Sequence, residues 1–216
     1  MLPGNRDSYS VFSWSRFYTY RSEMRKRFPD FWKIRIRKTL LQVVCGQIRD
    51  GDHVLDIGSF DRSYEKKLQR RFPNVLYKSM DIDRERFHDF YSFEEVREQF
   101  DVIFLFEVIE HLEFTEGINL MREVRNLLVP GGCLILTTPN MYHPNRYWEY
   151  DHKVPYRYDA IGGLLLGVGL EVKEIYRIYN DAIHRRLFRL YVTSWVHRHL
   201  QIDFAKSIVV VAKNRA

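Results

Sequence analysis

The sequence predicts a doubly wound α/β fold, and three of its features support this expectation. Short apolar runs alternate along the chain with segments of helical periodicity, as in a parallel sheet covered by helices on both faces. Of the 216 residues, 45% are hydrophobic, which is enough for a sizeable core. Turn signals such as Asp50-Gly51 and Pro130-Gly131-Gly132 separate the elements.

The apolar runs and the helical periods give an expected order of elements. The predicted strands cover 53–57, 75–80, 102–106, 133–137, 170–176 and 208–212. The predicted helices cover 62–71, 117–128, 159–168, 182–200 and a segment from Phe31 to the turn at Asp50. Because a long crossover precedes the last strand, the last two strands could form an antiparallel pair at the edge of the sheet.

The domain organisation is read from the same pattern. Residues 1–49 are interpreted as an N-terminal helical arm packed on the main domain. The main domain covers 50–216 and carries a helical insertion at 182–200. The first residues lack the apolar stretch of a signal peptide, and the apolar stretch 164–170 is too short to cross a bilayer.

The charge balance favours an anionic partner. The chain has 34 Lys and Arg against 28 Asp and Glu, a formal charge of +6 and a sequence pI of about 9.3. This suits nucleic acid, phospholipid or a phosphorylated substrate, although a soluble enzyme with a modest positive excess has the same composition.

The two cysteines predict neither a disulfide nor a metal site. Cys45 and Cys133 have no Cys or His nearby at metal-ligand spacing, so no metal is expected. Both are interpreted as small core residues in a reducing cytoplasm.

Acidic residues follow the first two strands of the predicted main domain. Asp56 ends one strand and Gly58 follows it, while Asp81 and Asp83 follow the next strand. In open α/β sheets ligands bind at the carboxyl ends of strands, and an acid there can bind ribose hydroxyls. Taken alone, the Asp56-Gly58 pattern also occurs in ordinary turns, and Asp81 could be a solvated loop carboxylate.

Two longer stretches make a family resemblance plain. The stretches FDVIFLFEVIEHL (100–112) and LLVPGGCLILTTPN (127–140) resemble the class I S-adenosylmethionine-dependent methyltransferases. They are most similar to the subgroup that methylates small molecules, quinone precursors, lipids and sugars. HVLDIGSF (53–60) and MDID (80–83) then match the family's first and second motifs, and the resemblance covers 50–176. It implies a Rossmann-like, mostly parallel sheet of seven strands and S-adenosylmethionine as cofactor.

The resemblance also implies a set of cofactor-binding residues. Asp56 and Gly58 match positions that border the methionine part, Asp81 matches the acid that binds the ribose, and Asp83 is its alternative. Asp89 is the candidate for the adenine side. The full predicted set is Asp56, Gly58, Ser59, Asp81, Asp83, Asp89, Phe106 and Glu107. The chain departs from the family at Phe60 and Arg62, where glycines are usual.

The acceptor is expected under the aromatic loop 140–158. In this family that loop commonly lines the acceptor pocket, and aromatic walls suit a small molecule. A satellite core beneath a long loop is the alternative. The predicted substrate residues are Tyr142, His143, Trp148 and His152. His152 and His111 are candidate bases for methylation at oxygen, although a Glu-His pair such as Glu110-His111 is also a common structural start of a helix.

The segment 182–200 is basic and aromatic. One face carries Leu187, Phe188, Tyr191, Val192 and Trp195, and the opposite face carries Arg185, Arg186, Arg189 and His197. We expect the apolar face to pack on the domain, with a weak membrane contact as a secondary effect.

Three other functions were weighed. The positive charge would suit an RNA methyltransferase, but no Asn-Pro-Pro-Tyr-type motif follows the 102–106 strand. A catalytically silent scaffold with the same fold stays open because of Phe60 and Arg62. A dinucleotide oxidoreductase is disfavoured because no G-x-G-x-x-G follows the 53–57 strand.

Overall fold

A computed structural model describes residues 13–145 and 150–215. Within these residues the strands are β1 (Arg35–Arg37), β2 (His53–Ile57), β3 (Leu76–Met80), β4 (Phe100–Phe106), β5 (Leu128–Pro139), β6 (Leu170–Ile178) and β7 (Ser207–Asn214). The helices are α1 (Trp14–Arg27), α2 (Leu40–Val44), α3 (Ser63–Gln69), α4 (Phe114–Leu127), α5 (Tyr158–Gly167), α6 (Ile183–Leu187) and α7 (Ser194–His199).

The strands form one sheet in the order β3-β2-β4-β5-β7-β6-β1, which confirms the predicted α/β fold with seven strands. Strand β7 runs antiparallel to both β5 and β6, and the other pairs are parallel. The predicted antiparallel pairing of the last two strands, β6 and β7, is confirmed, but its predicted place at the sheet edge is wrong. β7 lies inside the sheet, and β1 adds parallel to β6 and forms the edge.

The helix predicted from Phe31 to Asp50 is also wrong. The chain makes a short 3-10 turn at Phe31–Lys33, continues as β1 and is α-helical only in α2. The cause is the buried Arg177, far away in sequence. Its guanidinium donates to the carbonyl oxygens of Trp32 at 2.8 Å and Ile34 at 3.2 Å, and it pairs with Asp203 at 3.0 Å. These contacts hold the segment extended against β6.

Both faces of the sheet are buried, as the continuous apolar strands predict. Leu55, Leu105 and Leu134 point into the larger core on one side, and Val54 and Phe104 into the core on the other. Alternate residues of each strand therefore supply opposite faces. Because parallel strands share one direction, the turns after β2, β3, β4 and β5 meet at one edge, called the carboxyl edge below.

Helix α1 is held against α5 by close packing and by charge. A Cβ added at Gly162 would lie 2.6 Å from Met24 Cε, so the two helices approach closely there. The buried Asp159 at the start of α5 accepts ion pairs from Arg21 at 3.2 Å and Arg25 at 3.4 Å. Helix α1 is thus fixed to the main body.

The insertion 182–200 differs from its prediction in two ways. It is not one helix, because a π-helical turn at Phe188–Val192 separates α6 from α7. Its apolar face does not pack on the domain, since Trp195 is 73% exposed. The reason lies on its other side, where Arg189 pairs with Asp181 and its guanidinium lies 3.7 Å from the centre of the Phe204 ring. Arg189 is therefore anchored, whereas Arg185 on the same side and the apolar residues are exposed.

Candidate cofactor and acceptor site

The turn after β2 requires a glycine for reasons internal to the fold. Gly58 has a φ of +71° and donates its N–H to the Met80 carbonyl at 2.8 Å. A Cβ at this position would lie 2.3 Å from Cγ2 of Val108. The side chain of Val108, and not only a ligand, thus excludes larger residues here.

Replacing Gly58 with Ala is expected to destabilise the protein through two separable effects. The left-handed backbone costs about 1–2 kcal/mol for a residue with a Cβ, and the contact with Val108 adds about 1–3 kcal/mol of overpacking. In a Val108→Ala background only the first cost should remain. Urea unfolding of both single variants and the double variant measures the difference. Equal costs of Gly58→Ala in the two backgrounds would show that Val108 does not restrict the turn.

Phe60 and Arg62 stand where the family resemblance leads one to expect glycines, and both have positive φ. Their φ angles are 45° and 55°, a backbone region that residues with side chains adopt at a cost. Phe60 is stabilised there by donating its N–H to Asp81 at 3.0 Å. Its ring is 60% exposed, with the Arg86 guanidinium 4.0 Å from the ring centre. The turn keeps a glycine-like backbone, with the Phe60 ring directed outward and the Arg62 side chain paired with Asp89.

Asp81 joins the turn after β2 to the turn after β3. One of its carboxylate oxygens accepts from Phe60, and the other accepts the N–H of Asp83 at 3.0 Å. Asp83 instead caps its own turn by accepting the N–H of Glu85 at 2.9 Å. A carboxylate has about four acceptor positions, so Asp81 retains capacity for hydroxyl donors.

Two exposed apolar side chains lie close in sequence to Asp81, and neither belongs to the predicted site. Ile82 is 90% exposed and Phe87 is 72% exposed. The chain folds so that the Phe87 ring lies 5.3 Å from the Arg62 guanidinium. Their exposure depends on the tertiary fold of the turn and has no signal in the periodicity.

Asp89, the predicted adenine-side residue, is bound by the protein itself. Its carboxylate accepts the N–H of Ser79 at 2.8 Å and a guanidinium N–H of Arg62 at 2.6 Å. Partial burial acts to raise the pKa of Asp89, but these two donors outweigh it and hold that pKa below its ordinary value. Asp89 is therefore an ion-paired carboxylate beside Arg62.

Ser59 also has a partner inside the protein. Its hydroxyl lies 3.2 Å from Nδ1 of His88, which is equally close to the hydroxyl of Ser79. His88 is buried, and its Nε2 has no hydrogen-bond partner among the described residues. This buried triad supports the floor of the turn.

Asp56 lies beneath the turn, 3% exposed. The Tyr77 hydroxyl donates to it at 2.7 Å. Burial raises the pKa of Asp56 to about 7, and the charges of Asp61 and Asp81 act in the same direction, while the bond from Tyr77 opposes them. The predicted site acid is therefore close to half-protonated at neutral pH.

This raised pKa predicts a pH-dependent stability. The unfolded Asp56 releases its proton near pH 4, whereas the folded one keeps it until about pH 7. The stabilising contribution is complete below pH 4 and is lost as the pH rises to about 7, at about 1.4 kcal/mol per unit. Asp56→Asn should therefore gain about 3 kcal/mol relative to the natural protein between pH 5 and pH 8. Urea unfolding at both pH values measures this gain, and an equal difference at both would rule out a titrating Asp56.

The end of β4 carries the last two predicted cofactor residues. The Phe106 ring lies 4.9 Å from that of Phe104 and 5.0 Å from that of Tyr64. Glu107 has a φ of 53° and donates its N–H to the hydroxyl of Thr137 at 3.1 Å. This sharp turn leaves the Glu107 residue exposed at the carboxyl edge.

Beyond it the structure brings an acid and two histidines together. Ligand atoms of Glu110, His111 and His152 all lie within 4.8 Å of one another. His111 Nδ1 lies 2.9 Å from an oxygen of Asp151, and the two imidazole rings are 4.8 Å apart. Carboxylate and imidazole groups at this spacing can exchange a proton with a substrate hydroxyl or hold a divalent cation.

Glu110 is the functional candidate that the predicted set of site residues missed. It is 1% exposed, and neither carboxylate oxygen has a hydrogen-bond partner among the described residues. Burial and the nearby Glu107 raise the pKa of Glu110 to about 9. Its backbone carbonyl accepts the N–H of Lys153 at 2.8 Å, which brings the following loop to the end of β4. The sequence shows the Glu-His pair but not its burial.

The described members of the predicted substrate set have different neighbours. Tyr142 packs in the core against Phe31, with ring centres 4.5 Å apart. The His143 ring lies 6.1 Å from that of Phe204, and burial lowers the pKa of His143. Trp148 lies outside the described residues. His152 is the described member of the set that faces Glu110, in a small pocket lined by Glu110, Thr138, Pro139, Met141, His152, Val154 and Pro155.

The comparison of the sequence with protein families decides the family. The family described as "Methyltransferase domain" matches residues 20–175, well over half of the chain. The chain belongs to this methyltransferase family. It is an S-adenosylmethionine-dependent methyltransferase of class I, as the motifs predict, and S-adenosylmethionine is its cofactor.

Solved structures agree with the fold of the methyltransferase. It is similar to an S-adenosylmethionine-dependent methyltransferase from Archaeoglobus fulgidus, at 15% identity and a TM-score of 0.57, over 91% of this chain and 94% of that one. A Haloferax volcanii chain from a complex with the Trm112 methyltransferase activator has 13% identity and a TM-score of 0.61, with 94% and 97% covered. The [4+2]-cyclase SpnF has 13% identity and a TM-score of 0.58, with 82% and 80% covered. No curated protein matches the sequence.

Proposed function

We propose that the methyltransferase transfers the methyl group of S-adenosylmethionine to a hydroxyl oxygen of a small-molecule, sugar or lipid-linked acceptor. The observation that carries this proposal is the cluster of Glu110, His111 and His152 just beyond the end of β4. An oxygen acceptor must lose a proton on methylation, and a histidine at the pocket can take it. The resemblance to the small-molecule subgroup supports the same class of acceptor.

The residues present fit the cofactor at the carboxyl edge. Asp81 has free acceptor positions for the two ribose hydroxyls, with Asp83 as its alternative. Ile82 and Phe87 would pack on the adenine, since large exposed apolar side chains beside a polar anchor suit a flat ring. Asp89 would contribute to the cofactor site indirectly, by holding its ion-pair partner Arg62 in place. The turn at Asp56, Gly58 and Ser59 would border the methionine part, together with Phe106 and Glu107.

The cofactor supplies a methyl group on a positively charged sulfur, and the chain supplies position and a proton acceptor. His152 would take the proton of the acceptor hydroxyl as the oxygen–methyl bond forms and the sulfur–methyl bond breaks. His111, paired with Asp151, would orient the neighbouring His152 ring. Glu110, neutral below about pH 9, would add no negative charge beside the developing alkoxide.

Two measurements test the proposal. Calorimetric titration with S-adenosylmethionine tests cofactor binding, and release of S-adenosylhomocysteine in soluble-metabolite and lipid extracts of the host cell tests transfer. Binding of S-adenosylmethionine without release of S-adenosylhomocysteine in any extract would favour the silent scaffold. The ion pair of Arg62 with Asp89, a predicted cofactor residue, supports that alternative. Release with an RNA extract alone would favour the RNA methyltransferase, which the missing Asn-Pro-Pro-Tyr-type motif disfavours.

The organisation and setting of the protein are part of the proposal. Residues 1–49 would act as an arm of the 50–216 domain, a division supported by the packing of α1 on α5 and of β1 on β6. Free thiols at Cys45 and Cys133 suit a reducing cytoplasm. Among the described residues, no helix has both the length and the apolar character needed to cross a bilayer.

A further inference from the structure

The insertion 182–200 presents a continuous row of apolar side chains to solvent. These six residues, called the exposed stripe, are Ile183, Leu187, Phe188, Tyr191, Val192 and Trp195, with exposures from 48% to 79%. Successive members are one, three or four positions apart, the spacing of one helix face. Exposed apolar surface gathered in one patch marks an interaction site on a monomer.

The charge of the insertion selects the kind of partner. Residues 182–200 include four arginines and three histidines and no Asp or Glu. Arg189 is engaged by Asp181 and Phe204. Arg185 and Arg186 lie between Ile183 and Leu187 in sequence, Arg185 exposed and Arg186 half-buried, and neither has an ion pair among the described residues. A second copy of this segment would bring like charges together, whereas an anionic surface complements them.

We propose that the exposed stripe and its arginines dock the protein on an anionic phospholipid bilayer. Trp195 and Tyr191 have the amphipathic rings that favour the depth of the lipid headgroups. The aliphatic members would enter the acyl boundary, as in helices that lie in the membrane plane. Arg185 and Arg186 would contact lipid phosphates.

The topology relates this surface to the candidate site. The insertion connects β6 to β7, so it starts and ends at the carboxyl edge. Asp203, just after it, donates its N–H to the Tyr142 carbonyl at 2.9 Å and accepts from the Asn140 side chain at 2.8 Å. Docking would therefore bring the acceptor loop close to the headgroups. The proposal does not rest on methyl transfer, because vesicle binding is measured without cofactor.

Co-sedimentation of the full chain with vesicles tests the proposal. Binding is expected to vesicles of phosphatidylcholine mixed with phosphatidylserine, and to weaken at high salt and without phosphatidylserine. The Arg185→Ala/Arg186→Ala variant should bind about twenty-five-fold more weakly, about fivefold for each arginine. Trp195→Ala should lose roughly tenfold or more through lost apolar contact.

The matched control is Arg70→Ala/Arg71→Ala. Both arginines are exposed at the end of α3, on the edge of the sheet opposite the insertion. Their replacement gives the control the same net charge as the Arg185→Ala/Arg186→Ala variant. This control should bind as the natural protein does. Equal losses in the two double variants, no binding by the natural protein, or unchanged binding of Trp195→Ala would each overturn the proposal. A dimer that Trp195→Ala converts to monomer would show instead that a second copy covers the stripe.

Discussion

Replacing Asp81 with Asn is expected to weaken the binding of S-adenosylmethionine and S-adenosylhomocysteine by about 10–100-fold, or about 1–3 kcal/mol. The carboxylate accepts from Phe60 and Asp83 with different oxygens, so both ribose hydroxyls need its remaining acceptor positions. An amide offers one oxygen in place of two. Its two acceptor positions face four donors, so about two of these hydrogen bonds are lost from the turn, the ribose or both. Calorimetric titration measures the change directly and needs no acceptor.

Asp83→Asn is the matched control for this experiment. It removes the same charge two residues away, where the carboxylate accepts only the N–H of Glu85 in the described structure. A small effect there and a large one at Asp81 would support the ribose assignment. If Asp83→Asn causes the larger loss, the ribose lies further along the loop than proposed. Unaltered affinity in both folded variants would remove the two strand-end acids from the cofactor site.

The sequence predicts the interior strands well because burial on both faces leaves a local signal. The strand predicted at 53–57 has the observed bounds of β2. The strand predicted at 170–176 is β6, which continues two residues further, to Ile178. The segment after Phe31 fails because its conformation depends on Arg177, over 140 positions away. Helical periodicity was present there, but two long-range hydrogen bonds from Arg177 outweigh a local preference.

Periodicity also cannot tell which way a face points. It grouped Leu187, Tyr191 and Trp195 on one apolar face, and all three are exposed. The contacts of Arg189 with Asp181 and Phe204 fix the insertion on the domain. An apolar face was expected to turn inward because burial is its usual source of stability, whereas here the anchored residue is a basic one.

The candidate site divides in the same way. The positions of Asp56 and Asp81 follow from strand ends and topology, which the motifs make visible. The pairing of Asp89 with Arg62 and the burial of Glu110 depend on where separate loops meet. The placement of residues at a single strand end could thus be predicted, whereas placements that depend on contacts between loops could not.

His152→Asn is expected to lower the turnover number by about 10²–10⁴-fold while leaving the affinity for S-adenosylmethionine unchanged. The imidazole is the candidate proton acceptor at the pocket, and asparagine keeps a polar group of similar size without a basic nitrogen. His53→Asn is the control, because this exposed histidine starts β2 at the opposite edge of the sheet. Turnover is measured as S-adenosylhomocysteine released with the extract that supports the natural enzyme.

Glu110→Gln distinguishes a base from a bound cation in the same cluster. With its pKa raised to about 9, Glu110 is protonated at neutral pH, and glutamine imitates that neutral form. If His152 acts as a base, Glu110→Gln should change turnover less than about threefold, well below the effect at His152. If the cluster instead holds a divalent cation, both variants should be impaired alike, since each removes a ligand, and a chelator should inhibit the natural enzyme. Full activity of His152→Asn and His111→Asn would exclude both histidines as the base and move the proton acceptor outside this pocket.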